Sequence, residues 1–307
     1  MPELPEVETI ARTLAGEVES RLILAVDVPD PSAIVPDIDA FRALVLGRRI
    51  ARVDRRGKLL LLHLQAGGGK DGGTIAVHLR MTGRVLALPS AREHEGEHGG
   101  ESAASALAAH RPRVILHLSD RGQGGMFLLF ADVRRFGRMH AFAPGGGPGS
   151  ASGSIDAWPF YRDLGPEPLE MSAGEFRERL APSGRKSKAR IKALLLNQGV
   201  IAGIGNIYAD EALFRAGIRP DAVAGALSAR RLDRLFAAIG SVLTQAIAEN
   251  GSSIRDYRDA HGDAGAFQNH FRAYGRGGGK CLDCGAVMRS LRVAGRTSTF
   301  CPHCQTS

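Results

Sequence analysis

The 307-residue chain contains four cysteines, Cys281, Cys284, Cys301 and Cys304, which fall as two C-x2-C pairs separated by sixteen residues. Two knuckles so spaced can each point two thiolates at one ion. Four thiolates complete a tetrahedral zinc site and leave no position for a catalytic water. The spacing therefore predicts one structural zinc in a small hairpin that draws folding energy from the metal. Two disulfides or a redox pair are the competing readings, and no secretion signal supports them. The second candidate for chemistry lies at the other end. Pro2 follows the initiator methionine, and removal of Met1 would leave a secondary amine. An α-amine titrates near pH 8, well below lysine, so part of it is an uncharged nucleophile at neutral pH. Condensed with a sugar aldehyde, it gives an iminium ion that cannot lose its charge by deprotonation. Glu3 and Glu6 lie beside it at helical spacing, where one could move protons and the other orient the site. A proline here is also an ordinary helix-start residue.

The elements that must position these groups change character along the chain. An opening helix carries Leu4, Val7, Ile10, Leu14 and Val18 along one face. Short runs rich in Val, Ile, Leu and Phe follow at 50–54, 58–64, 74–79, 84–88, 113–118, 126–131 and 138–142. Several are separated by glycine-bearing turns. That pattern predicts a sandwich or barrel rather than βαβ units. Residues 89–109 and 144–154 read as loops without structure of their own. Beyond about residue 165 the pattern turns helical, with a capping box at Ser172 and Glu175. Helices are expected at 188–197, at 207–216 and from near Ser228. A loop over 250–279 leads into the zinc hairpin. The expected class is α+β: a β-sandwich with an opening helix over 1–155, a helical domain over 156–275 and a zinc ribbon over 276–307.

Composition narrows the function classes. Hydrophobic residues make up 44% and charged residues 23%, which excludes wholesale disorder. The longest apolar run, Met126–Ala131, is far short of the roughly 18 residues a membrane helix needs. The first ten residues carry three glutamates and no Lys or Arg, so no secretory signal is expected and a cytoplasmic protein is. Net charge is +8, and from residue 181 onward 18 Lys and Arg face 9 Asp and Glu. The excess charge thus sits in the C-terminal two-fifths, the footprint of a polyanion partner such as nucleic acid, or of a basic surface without one.

MPELPEVET, taken with the zinc ribbon, resembles the bacterial formamidopyrimidine-DNA glycosylase family. The resemblance continues through RRGKLLL at 55–61, HLRMTGR at 78–84, DVRRFGR at 132–138 and LGPEPL at 164–169. It runs on through residues 191–220 and GRTSTFCPHCQ at 295–305. It implies a bifunctional glycosylase and abasic-site lyase that excises oxidised purines from double-stranded DNA by way of a proline Schiff base and β,δ-elimination. A helix–two-turn–helix domain, a single structural zinc, no nucleotide cofactor, a monomer and a nucleoid location come with it. On this resemblance Pro2 is the nucleophile, Glu3 the proton donor and Glu6 its support. Lys58 serves β-elimination and Arg296 δ-elimination. Met81, Arg134 and Phe136 fill the gap left by a flipped base, although Met81 and Phe136 taken alone would be ordinary core. Val133 departs from the family's proline.

Asn206 matches a phosphate-contacting asparagine. Lys186 and Lys188 flank a basic position that falls near Ser187, and His110 matches a DNA-contacting histidine after a one-residue shift. His94 and His98 belong to an acidic insertion expected to project away from DNA. Residues 256–267 resemble a loop that closes over the extruded base. DNA would enter a basic cleft between the two main domains. The alternatives are an endonuclease VIII-like enzyme for oxidised pyrimidines and a lesion-binding zinc protein without catalysis.

Overall fold

The computed structural model describes residues 1–90, 103–122, 124–145, 153–181, 187–254 and 257–307, with the backbone alone for 103–106. They form two compact units. One comprises Met1–Pro2, Glu6–Arg162 and Ser252–Gly265; the other comprises Glu3–Pro5, Asp163–Gly251 and Ala266–Ser307.

In the first unit the opening helix α1 (Leu4–Val18) places Val7, Ile10, Leu14 and Val18 in a fully buried stripe. Strands β1 (Ile23–Asp27) and β2 (Ile34–Val35) and helix α2 (Ile38–Val45) follow. Next come β3 (Arg49–Arg56), β4 (Leu59–Gln65), β5 (Asp71–His78) and β6 (Gly83–Pro89). Helix α3 (Ala103–His110), β7 (Val114–Leu118), β8 (Met126–Asp132), β9 (Arg138–Phe142) and the single turn α4 (Pro159–Arg162) complete the set. The strands make a four-stranded sheet in the order β1-β7-β8-β6 and a five-stranded sheet in the order β2-β9-β5-β4-β3. Every pairing is antiparallel except β2 with β9. Inward side chains of both sheets, such as Leu60, Val77, Leu116 and Phe130, share one core with α1. This is the expected sandwich.

β1, β2, α2 and α3 depart from the sequence expectation. β1, β2 and α2 were not anticipated, although Asp37 caps α2 by accepting from the Ala40 N–H at 3.0 Å. The segment 103–109, expected as loop, is helical: alanine has the highest helix propensity, and Leu107 packs against the Leu86, Ile115 and Leu129 cluster. Residues 91–102, with His94 and His98, lie outside the described residues, as do 146–152.

The second unit holds α5 (Ala173–Leu180), α6 (Ile191–Leu196), α7 (Asn206–Ala216), α8 (Ala229–Ala248) and the hairpin β10 (Arg289–Val293) and β11 (Arg296–Phe300). Leu232, Leu235, Ile239, Val242 and Leu243 of α8 pack against Ile207, Tyr208 and Leu213 of α7 in one core. Leu4, expected with the α1 stripe, is buried in this core instead. Only half of the capping box forms. Ser172 accepts from the Glu175 N–H at 3.2 Å, while the Glu175 carboxylate pairs with Arg179. Helix 188–197 shortens to α6 because Arg190 bridges to Val223 as a strand residue. Among the described residues no helix is long and apolar enough to cross a membrane.

Candidate active site and nucleic-acid interface

Glu3 is 3% exposed, and its carboxylate sits at the start of α7, 204 residues away in sequence. Oε1 accepts from the Ile207 N–H at 3.0 Å and Oε2 from the Tyr208 N–H at 3.4 Å. A helix start leaves four N–H donors without partners and favours negative charge, so a carboxylate from elsewhere can serve as the cap. Gly205, which precedes the helix, has no capping side chain. A methyl group there would collide with Cδ and Oε1 of Glu3 and stand 2.7 Å from Oε2. Gly203 is equally constrained. Its φ is +84° and a methyl would lie 2.7 Å from Leu4 Cδ1, while its carbonyl accepts from the Leu4 N–H at 3.0 Å. The glycines of GIGN thus make room for the Glu3–Leu4 segment. Glu6, 1% exposed, accepts from the Ser252 N–H at 2.8 Å and from its hydroxyl at 3.1 Å. Tyr257 donates to the Glu6 carbonyl at 3.3 Å. Pro2 is buried between these two glutamates' chain positions and an exposed Met1.

Lys58 lies at the two-residue turn between β3 and β4, after Gly57 with φ +58°. The strand that pairs with β4 ends in His78, opposite Leu59. Burial first, then the charges of Arg80 and Lys58, hold the His78 imidazole neutral, with its pKa down at about 3. Its Nδ1 accepts from the Arg80 N–H at 3.0 Å, so the ring proton sits on Nε2. Nothing in the sequence marks His78 beyond its place in HLRM.

Met81 and Phe136, which would be core by residue type, are instead 43% and 60% exposed, and Arg134 is exposed between them. Met81 stands in the 80–82 turn and the other two in the 133–137 turn, and Arg134 Nη1 approaches Met81 Sδ at 3.4 Å. Buried Asp132 fixes both turns. Its Oδ1 accepts from the Thr82 hydroxyl and from the Arg134 N–H at 3.2 Å, and its Oδ2 accepts from the Gly137 N–H at 2.6 Å. Arg113, 4% exposed, joins this knot by donating to Gly137 O at 2.9 Å, Asp30 Oδ2 at 2.8 Å and Ser32 Oγ at 3.0 Å. Although burial opposes it, the hydrogen bonds from Arg113, Ser32 and Arg135 hold the Asp30 carboxyl far below the usual carboxylate range. None of Asp30, Arg113 and Asp132 was singled out from sequence.

In the second unit, Asn206 opens α7 and donates from Nδ2 to Thr297 O at 3.2 Å. Lys192, fully buried on α6, donates to Asp210 Oδ1 at 2.6 Å and to the same Thr297 carbonyl at 3.4 Å. Asp210 Oδ2 accepts from the Thr299 N–H at 3.3 Å. Burial raises the Asp210 carboxyl to about 7 against the pull of Lys192, and lowers the lysine. Glu3 and Arg296 both lie within electrostatic range of Lys192. Arg296 itself is exposed, next to the Ala294–Gly295 turn, where φ is +48° and +73°. Lys188 is exposed and His110, the last residue of α3, is half-buried. Lys186 lies outside the described residues.

The four cysteine sulfurs lie within 4.8 Å of one another, with Cys281–Cys304 at 3.9 Å and Cys284–Cys301 at 3.5 Å. Four bonds of about 2.3 Å at tetrahedral angles put sulfurs roughly 3.8 Å apart, so the set fits one zinc ion and is too open for disulfides.

Three family models cover most of the chain. Formamidopyrimidine-DNA glycosylase N-terminal domain matches residues 1–139, Formamidopyrimidine-DNA glycosylase H2TH domain matches 164–258, and Zinc finger found in FPG and IleRS matches 278–306. Formamidopyrimidine-DNA glycosylase of Nitratidesulfovibrio vulgaris is 39% identical over 99% of this chain and 100% of its own length. That of Chloroflexus aggregans is 43% identical over 99% and 98%. Among solved structures, a Lactococcus lactis FPG variant in complex with Fapy-dG-containing DNA superposes with a TM-score of 0.80 at 32% identity, covering 100% of both chains. MutM in complex with carbocyclic 8-oxo-G-containing DNA gives 0.79 at 31%, again over 100% of both.

Proposed function

The chain belongs to the formamidopyrimidine-DNA glycosylase family, and from that premise we propose that its chemistry runs through the Pro2 amine and the Glu3 carboxylate seated on α7. The protein is a DNA glycosylase for oxidised purines in base-excision repair and carries the abasic-site lyase activity characteristic of the family. The endonuclease VIII alternative is not favoured, because the relatives and neighbours are formamidopyrimidine-DNA glycosylases, two of them complexed with purine lesions. Damaged double-stranded DNA is the partner, and the cytoplasm, at the nucleoid, is the place we assign to it.

The observation that carries the mechanism is the buried Glu3 carboxylate held by two α7 N–H groups, with Pro2 the residue before it. After Met1 removal the Pro2 nitrogen attacks C1′ of the damaged nucleotide, and the C1′–N bond breaks with its electron pair leaving on the base. The Glu3 carboxylate takes the proton that the Pro2 nitrogen sheds on bonding to C1′ and passes it to the ring oxygen as the C1′–O bond breaks, which leaves an iminium between Pro2 and C1′ and a hydroxyl on C4′. Loss of a C2′ proton expels the 3′ phosphate, and a second elimination expels the 5′ phosphate. Lys58 assists the first elimination and Arg296 the second, where a fixed, always charged fork suits a departing phosphate. Glu6, locked by Ser252, supports the α1 end that presents Pro2 and Glu3. Met81, Arg134 and Phe136 fill the vacated stack. Asn206, Lys186, Lys188 and His110 contact the strand backbone. Cys281, Cys284, Cys301 and Cys304 would hold zinc, whose contribution is structural.

Borohydride trapping on a duplex with 8-oxoguanine opposite cytosine tests this reading. A covalent adduct that disappears in Pro2→Gly, with DNA binding retained, is the expected result. An adduct undiminished in Pro2→Gly would remove Pro2 from the mechanism.

A further inference from the structure

Arg80, Arg111 and Arg135 adopt φ of 55°, 46° and 58°, the left-handed region that crowds any residue with a Cβ. Among the described residues only six non-glycine positions have positive φ, and these three are the arginines among them. All three are exposed. Their places in the fold are equivalent. Arg80 lies three residues before β6, Arg111 three before β7 and Arg135 three after β8. The sheet order is β1-β7-β8-β6, with Gly83 opposite Asp132 and Val114 opposite Phe130. The starts of β6 and β7 and the end of β8 therefore share one edge of the sheet, with one arginine at each.

The same edge carries apolar side chains in water: Met81, Phe136 and Val133, the last 84% exposed. The Asp132–Arg113–Thr82 knot described above holds the three turns together, which is the condition under which unfavourable backbone persists. We propose that Arg80, Arg111 and Arg135 form a row that grips the DNA phosphate backbone beside Met81, Val133 and Phe136. The inference rests on the proposed function, since duplex DNA is its partner. Each guanidinium's present contacts leave it available. Arg111 has no side-chain partner among the described residues, and Arg80 lies 5.9 Å over the Phe160 ring. Arg135 pairs with Asp30, which keeps Arg113 as a second partner if a phosphate draws Arg135 away.

Glycine provides the test, because it occupies positive φ without a steric penalty. Replacing an arginine by glycine removes the charge and relieves the backbone together. In Arg111→Gly, which loses no side-chain contact among the described residues, the thermal midpoint should hold or rise; the triple variant with Arg80→Gly and Arg135→Gly extends the loss of charge. The slope of log binding constant against log salt, measured on a duplex with a reduced abasic site, should fall by about 0.9 for each arginine lost. Arg111→Asn, which also tolerates this conformation, should reproduce the Arg111→Gly slope. An unchanged slope, or a lowered midpoint in Arg111→Gly, would overturn the row and leave the proposed function standing if the unaltered protein still traps on 8-oxoguanine DNA. Failure of the unaltered protein to bind or trap would overturn both.

Discussion

Gly205→Ala should disable base excision without disabling DNA binding. A methyl at position 205 would stand 2.7 Å from Glu3 Oε2, and nearer to Cδ and Oε1, whereas ordinary contact begins at 3.4 Å. The carboxylate must therefore retreat by at least 0.7 Å. Its two hydrogen bonds from α7 are already 3.0 and 3.4 Å long, so a retreat of that size takes at least one beyond hydrogen-bond range. Hydrogen bonds to a charged group contribute about 1.5–3 kcal/mol each, which sets the expected loss of stability at roughly that amount. The kinetic effect should be larger in consequence, because misplacing a reacting group by about 1 Å costs on the order of 100-fold. The assay is single-turnover release of 8-oxoguanine from a defined duplex, with binding to an abasic-site duplex measured in parallel. A loss of about 100-fold in release with binding within a few-fold of the unaltered protein is expected. Full turnover by Gly205→Ala would refute the claim that the glycine exists to admit the Glu3 carboxylate.

Three further outcomes follow from the geometry. Arg113→Ala leaves Asp30 and Asp132 without their buried cation and should cost about 3–5 kcal/mol in urea unfolding; a change under about 1 kcal/mol would show that the knot does not hold the turns. The folded-state pKa of His78, about 3, lies below the ordinary 6.5, so the unfolded chain binds the extra proton. Stability should thus be complete above pH 6.5 and fall as pH drops toward 3, by up to about 4–5 kcal/mol from this residue. Comparing thermal midpoints at pH 7.5 and 5 should show a smaller drop in His78→Asn than in the unaltered protein, and equal drops would remove His78 as the cause. Cys304→Ser should reduce zinc content from one per chain and weaken DNA binding at least tenfold, as metal analysis and titration would show; retained affinity without zinc would contradict a structural metal.

What was legible in the sequence was local. Strands such as Leu59–Gln65 and Met126–Asp132 declare themselves by short apolar runs, the α1 stripe by its spacing, and the zinc site by two C-x2-C pairs. Helix α2 carried a readable signal in Asp37 that went unused. The arrangement around the site was illegible for a different reason. Glu3 meets α7 across 204 positions, Arg113 meets Asp30 across 83, and Lys192 meets Thr297 across 105. No periodicity encodes such pairings, and Lys192 within IKALLL looks like an ordinary solvated lysine. By residue type alone Met81 and Phe136 read as core, and it was the motif around them that set them apart; the fold shows both in water.

The zinc hairpin has only two strands, so β11 keeps one edge of unpaired backbone groups, normally an invitation to aggregation. Here that edge is consumed. The Thr297 carbonyl takes Lys192 and Asn206, and the Thr299 N–H, two residues on, gives to Asp210. Because backbone atoms make these contacts, the exposed side chain at 297 can vary while the register of the hairpin cannot. A slip of one residue would turn the carbonyl and the N–H away together and strand a buried lysine and a buried aspartate. A residue inserted between the cysteine pairs would therefore break contacts that a substitution at Thr297 leaves in place.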